Sequence, residues 1–337
     1  MVSTDCSHLA AQQGHIGVVE VLLDRGANID ATTGHNETAL YLATREGHID
    51  VVKAPLDRGT AVYTTAEMKW TALHEAAEQG HIKVVKVPVL LDRDAAIDAM
   101  TDIDGWTALH LAANRGHIEV IKVLLDKGAV SKATSSHKTT ALHFAAHGGH
   151  IDAVNVLLGR GTSTYARNVD HYDFTALHWA AHRGHIEVVK VLLGRGGTVD
   201  TTTNIMCTPL DCAAQEGHLE VVKVLLNRGA SVDISTSFRS LVGSLISSKC
   251  CWTGVHTLVP QSRMVQPPFI GQLGRVILMS WRCCWTGGAS VDARSNHSWT
   301  ALHQAAQKGR FEVVKVLLDR KWTALQLEFQ WGHIFIY

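Results

Sequence analysis

The chain has no surplus of charge. Its 337 residues carry 31 Lys and Arg against 31 Asp and Glu, with no basic block. A protein that tracks a nucleic-acid backbone needs a positive face, so that class is set aside. No apolar run reaches the length of a membrane crossing, so no membrane partner is expected either. The opening residues, MVSTDCSHLAAQQGH, lack the charged-then-apolar layout of a secretion signal. These absences point to a cytoplasmic protein, with the nucleus as the alternative. Its seven cysteines follow no regular framework, which fits a reducing compartment. Also missing are a Ser-His-Asp context, a phosphate-cradling glycine loop and an HExxH helix. No cofactor is implied, and catalysis is not expected.

What is present is repetition. The stretch Thr107 to Gly128, TALHLAANRGHIEVIKVLLDKG, holds two short helical patterns parted by a Gly-His pair, with apolar residues returning every three or four positions. Neither pattern is long enough to hide its own apolar face. The Thr that opens this unit recurs at Thr38, Thr71, Thr107, Thr140, Thr175, Thr208 and Thr300, and the first five intervals are 33, 36, 33, 35 and 33 residues. The Gly-His pair keeps step at His15, His48, His81, His117, His150, His185 and His218. A unit repeated at this period is an array whose members bury one another.

The residue types explain the unit without any analogy. Thr107 caps the first helix through its hydroxyl, Leu109 and Ala112 face inward, and Ala113 is small where helices come close. Gly116 takes the backbone angles that end one helix and open the next. Val120, Val123, Leu124 and Leu125 form the apolar face of the second helix, which Gly128 ends. Glu119 and Lys122 are exposed and three apart, worth a few tenths of a kcal/mol, about 0.3.

The pieces TALHEAAEQGHIKVV (71 to 85), TALHLAANRGHIEVIKVLL (107 to 125), TALHFAAHGGH (140 to 150), TALHWAAHRGHIEVVKVLL (175 to 193) and TPLDCAAQEGHLEVVKVLL (208 to 226) resemble the ankyrin-repeat family. The resemblance covers most of residues 5 to 236 and 288 to 320. It implies an all-α solenoid of stacked helix pairs with hairpin-like loops, about seven near-complete repeats, and non-catalytic binding of a protein partner as adaptor, scaffold or inhibitor. The expected organisation is an array over 5–236 whose first repeat is truncated, an irregular segment over 237–287, and one intact repeat plus a truncated one over 288–337. A monomer is expected unless the irregular segment or the C-terminus self-associates.

Two early repeats depart from the pattern. Pro55 stands where the sister repeats have the first Leu of LLDRG, inside a second helix, and repeat three carries two extra residues, Pro88 among those between His81 and Asp94. Proline inside a helix removes a donor and clashes with the preceding turn, costing about 3 kcal/mol at Pro55 if that helix stays straight, and the second helix of repeat three should be kinked or bulged. At the other end, only 23 residues separate Thr300 from Thr323, so the last repeat restarts early at Trp322 and forms a short hydrophobic cap.

From about Ser235 the pattern vanishes, to return at GGASVDA (287 to 293). Within the gap CCWTG occurs at 250 to 254 and again at 283 to 287, one repeat length of 33 apart. Shifting the reading frame turns a codon series for Val-Leu-Leu-Asp-Arg-Gly into Cys-Cys-Trp-Thr-Gly. The genetic code likewise permits MVQPPFIGQLGRVILMSWRCCWTG (264 to 287) to hide Gly-Pro-Thr-Ala-Leu-His-Arg-Ala-Ala-Arg-Glu-Gly-His-Ile-Asp-Val-Val-Glu-Val-Leu-Leu-Asp-Arg-Gly, a complete motif. Residues 237–287 are therefore read as two former repeats translated out of frame. Nucleotides that encode no motif in another frame would overturn this. Its apolar VILMSW run is an aggregation hazard.

Several groups invite chemistry. Of 21 histidines, His110, His117, His143, His150, His178 and His185 recur with the repeat, as does Gly116. They are read as framework that bonds neighbouring turns, not as metal ligands, which need three or four converging donors. Cys250, Cys251, Cys283 and Cys284 suggest a four-sulfur zinc site or a redox pair, but adjacent cysteines lack the spacing that lets one turn present both sulfurs, the shifted frame explains them without function, and no metal is expected. An enzyme or chaperone-like activity in 237–287, and a decayed gene product without a maintained role, are the competing readings.

The informative positions are those that vary while the framework stays fixed. Just before each Thr stand Glu37, Trp70, Trp106, Thr139, Phe174, Cys207, Trp299 and Trp322. In proteins of the resembled family this loop position and its neighbours point to a concave binding side. The candidates for partner contact are Trp70, Trp106, Asn114, Arg115, Phe144, Tyr172, Phe174, Trp179, His182, Arg183 and Trp299. First-helix positions Glu75, Cys212 and Gln304 belong to the same set of variable sites. Aromatics there serve equally as anchors for a partner or as packing that stiffens the loop row, and both readings stay open.

Overall fold

The computed structural model describes residues 4–28, 30–59, 69–91, 97–169, 173–232, 236–237 and 298–320. Tyr172, the segment from 238 to 297 with its four cysteines, and the restart at Trp322 lie outside the described residues. The chain divides into two compact units, Met1–Thr201 and Thr202–Tyr337.

The first unit is a row of helix pairs: α1 Thr4–Gln12 with α2 Ile16–Asp24, α3 Ala39–Glu46 with α4 Ile49–Asp57, α5 Ala72–Gln79 with α6 Ile82–Val85, α7 Ala108–Arg115 with α8 Ile118–Asp126, α9 Ala141–Gly148 with α10 Ile151–Gly159, and α11 Ala176–Arg183 with α12 Ile186–Gly194. First helices pack on first helices and second helices on second helices along the row. Among the described residues the second unit holds α13 Pro209–Glu216 and α14 Leu219–Asn227, then α15 Ala301–Gln307 and a further helix, α16, over 311–320. The architecture is the expected all-α solenoid; among the described residues, bridge pairing occurs at loops such as Thr32 with Thr38 and Thr134 with Thr140 and in the two-residue pairing of β1 Thr236–Ser237 with β2 Ser298–Trp299.

Each pair is too short to be stable alone, and the core shows what holds it. Leu109, Leu111, Ala112 and Ala113 of α7 and Val120, Ile121, Leu124 and Leu125 of α8 are all buried. Val123 is half-exposed; the inward face takes Ile121 instead, because the neighbouring helix lies to that side. The first helices α3, α5, α7, α9, α11 and α13 each end on a left-handed glycine, Gly116 at φ 74° for α7, which frees the chain to turn straight into its partner.

The two prolines act differently. Helix α4 runs unbroken through Pro55 to Asp57 with Pro55 buried, so the helix absorbs the missing donor rather than ending there. In repeat three the second helix stops at Val85, and a 3-10 turn from Pro88 to Leu91 carries Leu90 and Leu91 into the core. Replacing Pro55 by Leu, the residue of the sister repeats, restores the backbone bond. It should stabilise the chain by up to about 3 kcal/mol, read as a higher urea midpoint; an unchanged midpoint would show that the helix loses nothing to its proline.

In the second unit α15 packs directly against α13, although a long stretch of chain separates them. Arg310 stands where the other repeats have the His of Gly-His. Its Nε donates to the Gln215 carbonyl at 3.4 Å, and its aliphatic stem covers Gly217. Arg320 adds a bond to the Leu226 carbonyl at 3.3 Å.

Candidate partner-binding edge

Two sets of histidines tie the row together. In the TALH set, the ring nitrogen Nδ1 of His110 accepts from the Thr107 backbone N–H at 3.0 Å, and Nε2 donates to the Ala133 carbonyl at 3.1 Å. His143 does the same between Thr140 (3.2 Å) and Ala166 (3.0 Å). His74 reaches Ala99 and Trp106, and His178 accepts from Thr175 N–H at 3.1 Å. Each of the first three rings thus completes the cap of its own helix and pins the next loop, and His178 completes its cap. With an acceptor nitrogen and a donor nitrogen both engaged, the ring is neutral. Burial pushes His110 and His143 down to about 4, and it lowers His74 also.

In the Gly-His set, each ring reaches back to the preceding repeat. His117 bonds the Glu78 carbonyl at 3.0 Å, His150 that of Asn114 at 3.0 Å and His185 that of His147 at 2.9 Å. Each of these rings also lies on the left-handed glycine of the preceding repeat: His150 on Gly116 and His185 on Gly149. One substitution in the TALH set was not singled out from the sequence. Tyr41 replaces the histidine, and its hydroxyl donates to Glu75 Oε2 at 2.7 Å in the interior; burial, with Glu75 second, raises its pKa well above the ordinary value. Among the described residues no group of three His, Cys, Asp or Glu is placed to hold a metal ion, and no helix is long and apolar enough to cross a membrane.

The variable positions fall at two places on each first helix: the residue before the capping Thr, and the fourth helical residue. Capping geometry brings these two together, as in a hydrophobic staple. Phe174 meets Trp179 in this way, centroids 5.5 Å apart and edge to face. Contacts also run between repeats: Trp106 lies 4.9 Å from Phe144 of the next repeat, and His147 lies 5.0 Å from Trp179 of its successor. His182 sits 6.3 Å beyond Trp179. The result is a run of rings in two touching groups, Trp106 with Phe144 and then His147, Trp179, Phe174 and His182, every one half-exposed.

The remaining candidates are not part of this run. Arg115 is exposed and ion-paired to Glu78 of the preceding repeat, and Arg183 Nε donates to His147 Nε2 at 2.9 Å. Asn114 is half-exposed, with its carbonyl committed to His150. Trp70 lies apart from the run, 6.1 Å from the ring of His74. Trp299 contributes backbone to β2, and its side chain is not among those described. Glu75, Cys212 and Gln304, though at variable positions, are buried, because a small or polar fourth residue sinks between its neighbours where Phe144 and Trp179 are too large to do so.

Family models decide what kind of array this is: one for ankyrin repeats in three copies matches residues 7–101, 87–168 and 163–236, and one for a single ankyrin repeat matches 297–326. The chain belongs to the ankyrin-repeat family. Among solved structures, the human ASB11 ankyrin repeat domain is similar, with 28% sequence identity and a TM-score of 0.59 over 67% of this chain and 98% of that one. No curated protein matches the sequence. Ankyrin repeats serve generically as protein-interaction scaffolds.

Proposed function

We propose that this ankyrin-repeat chain binds a protein partner without catalysis, through its loop tips and first helices, and that the ring run from Trp106 to His182 is the centre of contact. The observation that carries the reading is clustering. Six half-exposed rings from three successive repeats gather in two touching groups, with Asn114, Arg115 and Arg183 on the same repeats. Aromatic and Arg side chains dominate the binding energy of protein interfaces when they are ringed by polar groups.

The contact of Trp106 with Phe144 supports a second reading, in which the rings stiffen the row of tips. Replacing Trp106, Phe174 and Trp179 together by Ala separates the two. Proteins captured by the full chain and by the triple variant are identified by mass spectrometry, and the affinity of a purified captured protein is then measured by titration. The binding reading expects at least a tenfold loss of affinity, about 1.4 kcal/mol, with little change in melting temperature. Unchanged affinity, or a fall in melting temperature that accounts for the loss, supports stiffening instead.

A further inference from the structure

We infer that Cys207 and Cys212 are an oxidation site, which a peroxide converts into a reversible intrachain disulfide. The two occupy the staple positions of helix α13: Cys207 precedes the capping Thr208, and Cys212 is the fourth helical residue. Where Phe174 and Trp179 place two rings in the sister repeat, this repeat places two thiols, Sγ to Sγ 3.6 Å. The approach is dictated by the cap. Thr208 accepts from Asp211 N–H, and the Asp211 carboxylate accepts from Thr208 N–H and hydroxyl, each near 3 Å. The loop side is held as well: Cys207 N–H donates to Thr203 Oγ1 at 2.9 Å, and Thr203 N–H to the Cys207 carbonyl at 3.0 Å.

Exposure divides the roles. Cys207 is half-exposed and open to a small oxidant, whereas Cys212 is 3% exposed. The neighbouring Cys207 sulfur first, and burial second, hold the Cys212 thiol well above its ordinary range, so Cys212 keeps its proton. The Cys207 thiolate attacks one oxygen of hydrogen peroxide, giving a sulfenic acid and hydroxide. Cys212 sulfur then displaces the sulfenic oxygen; its own proton leaves with that oxygen as water, and the S–S bond forms. Peroxide is reduced by two electrons and the two thiols are oxidised by two. The sulfurs must close from 3.6 Å to about 2.05 Å, with the loop-borne Cys207 as the end that moves. The assignment stands whatever the loop tips bind.

The test uses the full chain, fully reduced, freed of reductant, exposed to hydrogen peroxide and quenched with iodoacetamide. Trypsin releases both residues in the peptide 196–223, which has no other cysteine. The expected result is a peptide lacking two hydrogens and refusing alkylation until dithiothreitol is added. In Cys212→Ser, Cys207 should instead accumulate sulfenic acid that reacts with dimedone. Alkylation of both cysteines after peroxide, or Cys207 progressing to sulfinic acid in the unsubstituted chain, overturns the proposal. The unsubstituted chain decides the matter even if the variant folds poorly.

Discussion

Lowering the pH from 7 to 5 should cost the first unit several kcal/mol, because its buried histidines must stay neutral. An unfolded histidine titrates near 6.5, while His110 and His143 in the folded chain titrate near 4. Between those values the unfolded chain takes up protons that the folded chain refuses, so stability is complete above pH about 6.5 and falls as the pH drops towards 4. At pH 5 the loss is about 2 kcal/mol per histidine, and near pH 4 it reaches roughly 3 kcal/mol. Against a total stability of about 5–15 kcal/mol, two such groups remove about 4 kcal/mol by pH 5, before most carboxylates are protonated. Urea midpoints at pH 7, 6 and 5 test this. His143→Gln offers an amide in place of the ring, so the variant should begin less stable but show a shallower fall. Midpoints that stay level down to pH 5, or an equally steep fall in the variant, would remove the histidines as the cause.

Gly149→Ala should be a strongly damaging methyl addition at a repeat junction. Gly149 has φ 75°, and an added Cβ would lie 2.6 Å from Nδ1 of His185. The left-handed backbone alone costs a non-glycine residue about 1–2 kcal/mol. The methyl also drives the ring off its bond to the His147 carbonyl, 2.9 Å long, for about another 1–3 kcal/mol. Gly161 provides the comparison, since its φ is 79° and an added Cβ meets nothing within 4 Å. Gly161→Ala should therefore show the backbone cost alone, with a melting temperature several degrees above that of Gly149→Ala. Combining Gly149→Ala with His185→Ala removes the clash, so the two changes together should cost less than their sum. Strict additivity, or equal loss at the two glycines, would mean that the ring is not wedged against Gly149.

The framework was legible in the sequence because each repeat states the same rules in the same places: Thr to cap, small Ala at the close approach, Gly to turn, Leu and Val inward. Contacts between repeats were not, since they depend on which neighbour faces which. The interchange of Val123 for Ile121 on the inward face follows from the direction of the adjacent helix, a matter of one position. Glu75 reads as a surface acid and is buried because Tyr41, one repeat earlier, supplies its hydrogen bond. The thiol contact has a signal in the sequence, a spacing of five across a capping Thr, shared with Phe174 and Trp179. As for the ring run, the sequence showed aromatics at one loop position but not that Phe144 and Trp179, from the helices, would join them.

The seating of Arg310 on Gly217 also bears on how an array tolerates interruption. Closing the connection from Gly229 to Thr300, compared with that from Gly128 to Thr140, costs an extra entropy that grows only as the logarithm of length. Even a connection with no structure of its own would add about 1.6 kcal/mol, close to what one well-packed leucine contributes. A stacking surface therefore selects its neighbour by fit, and the chain in between is nearly free to lengthen. Whole units of sequence can lose their pattern while those on either side go on pairing as though adjacent.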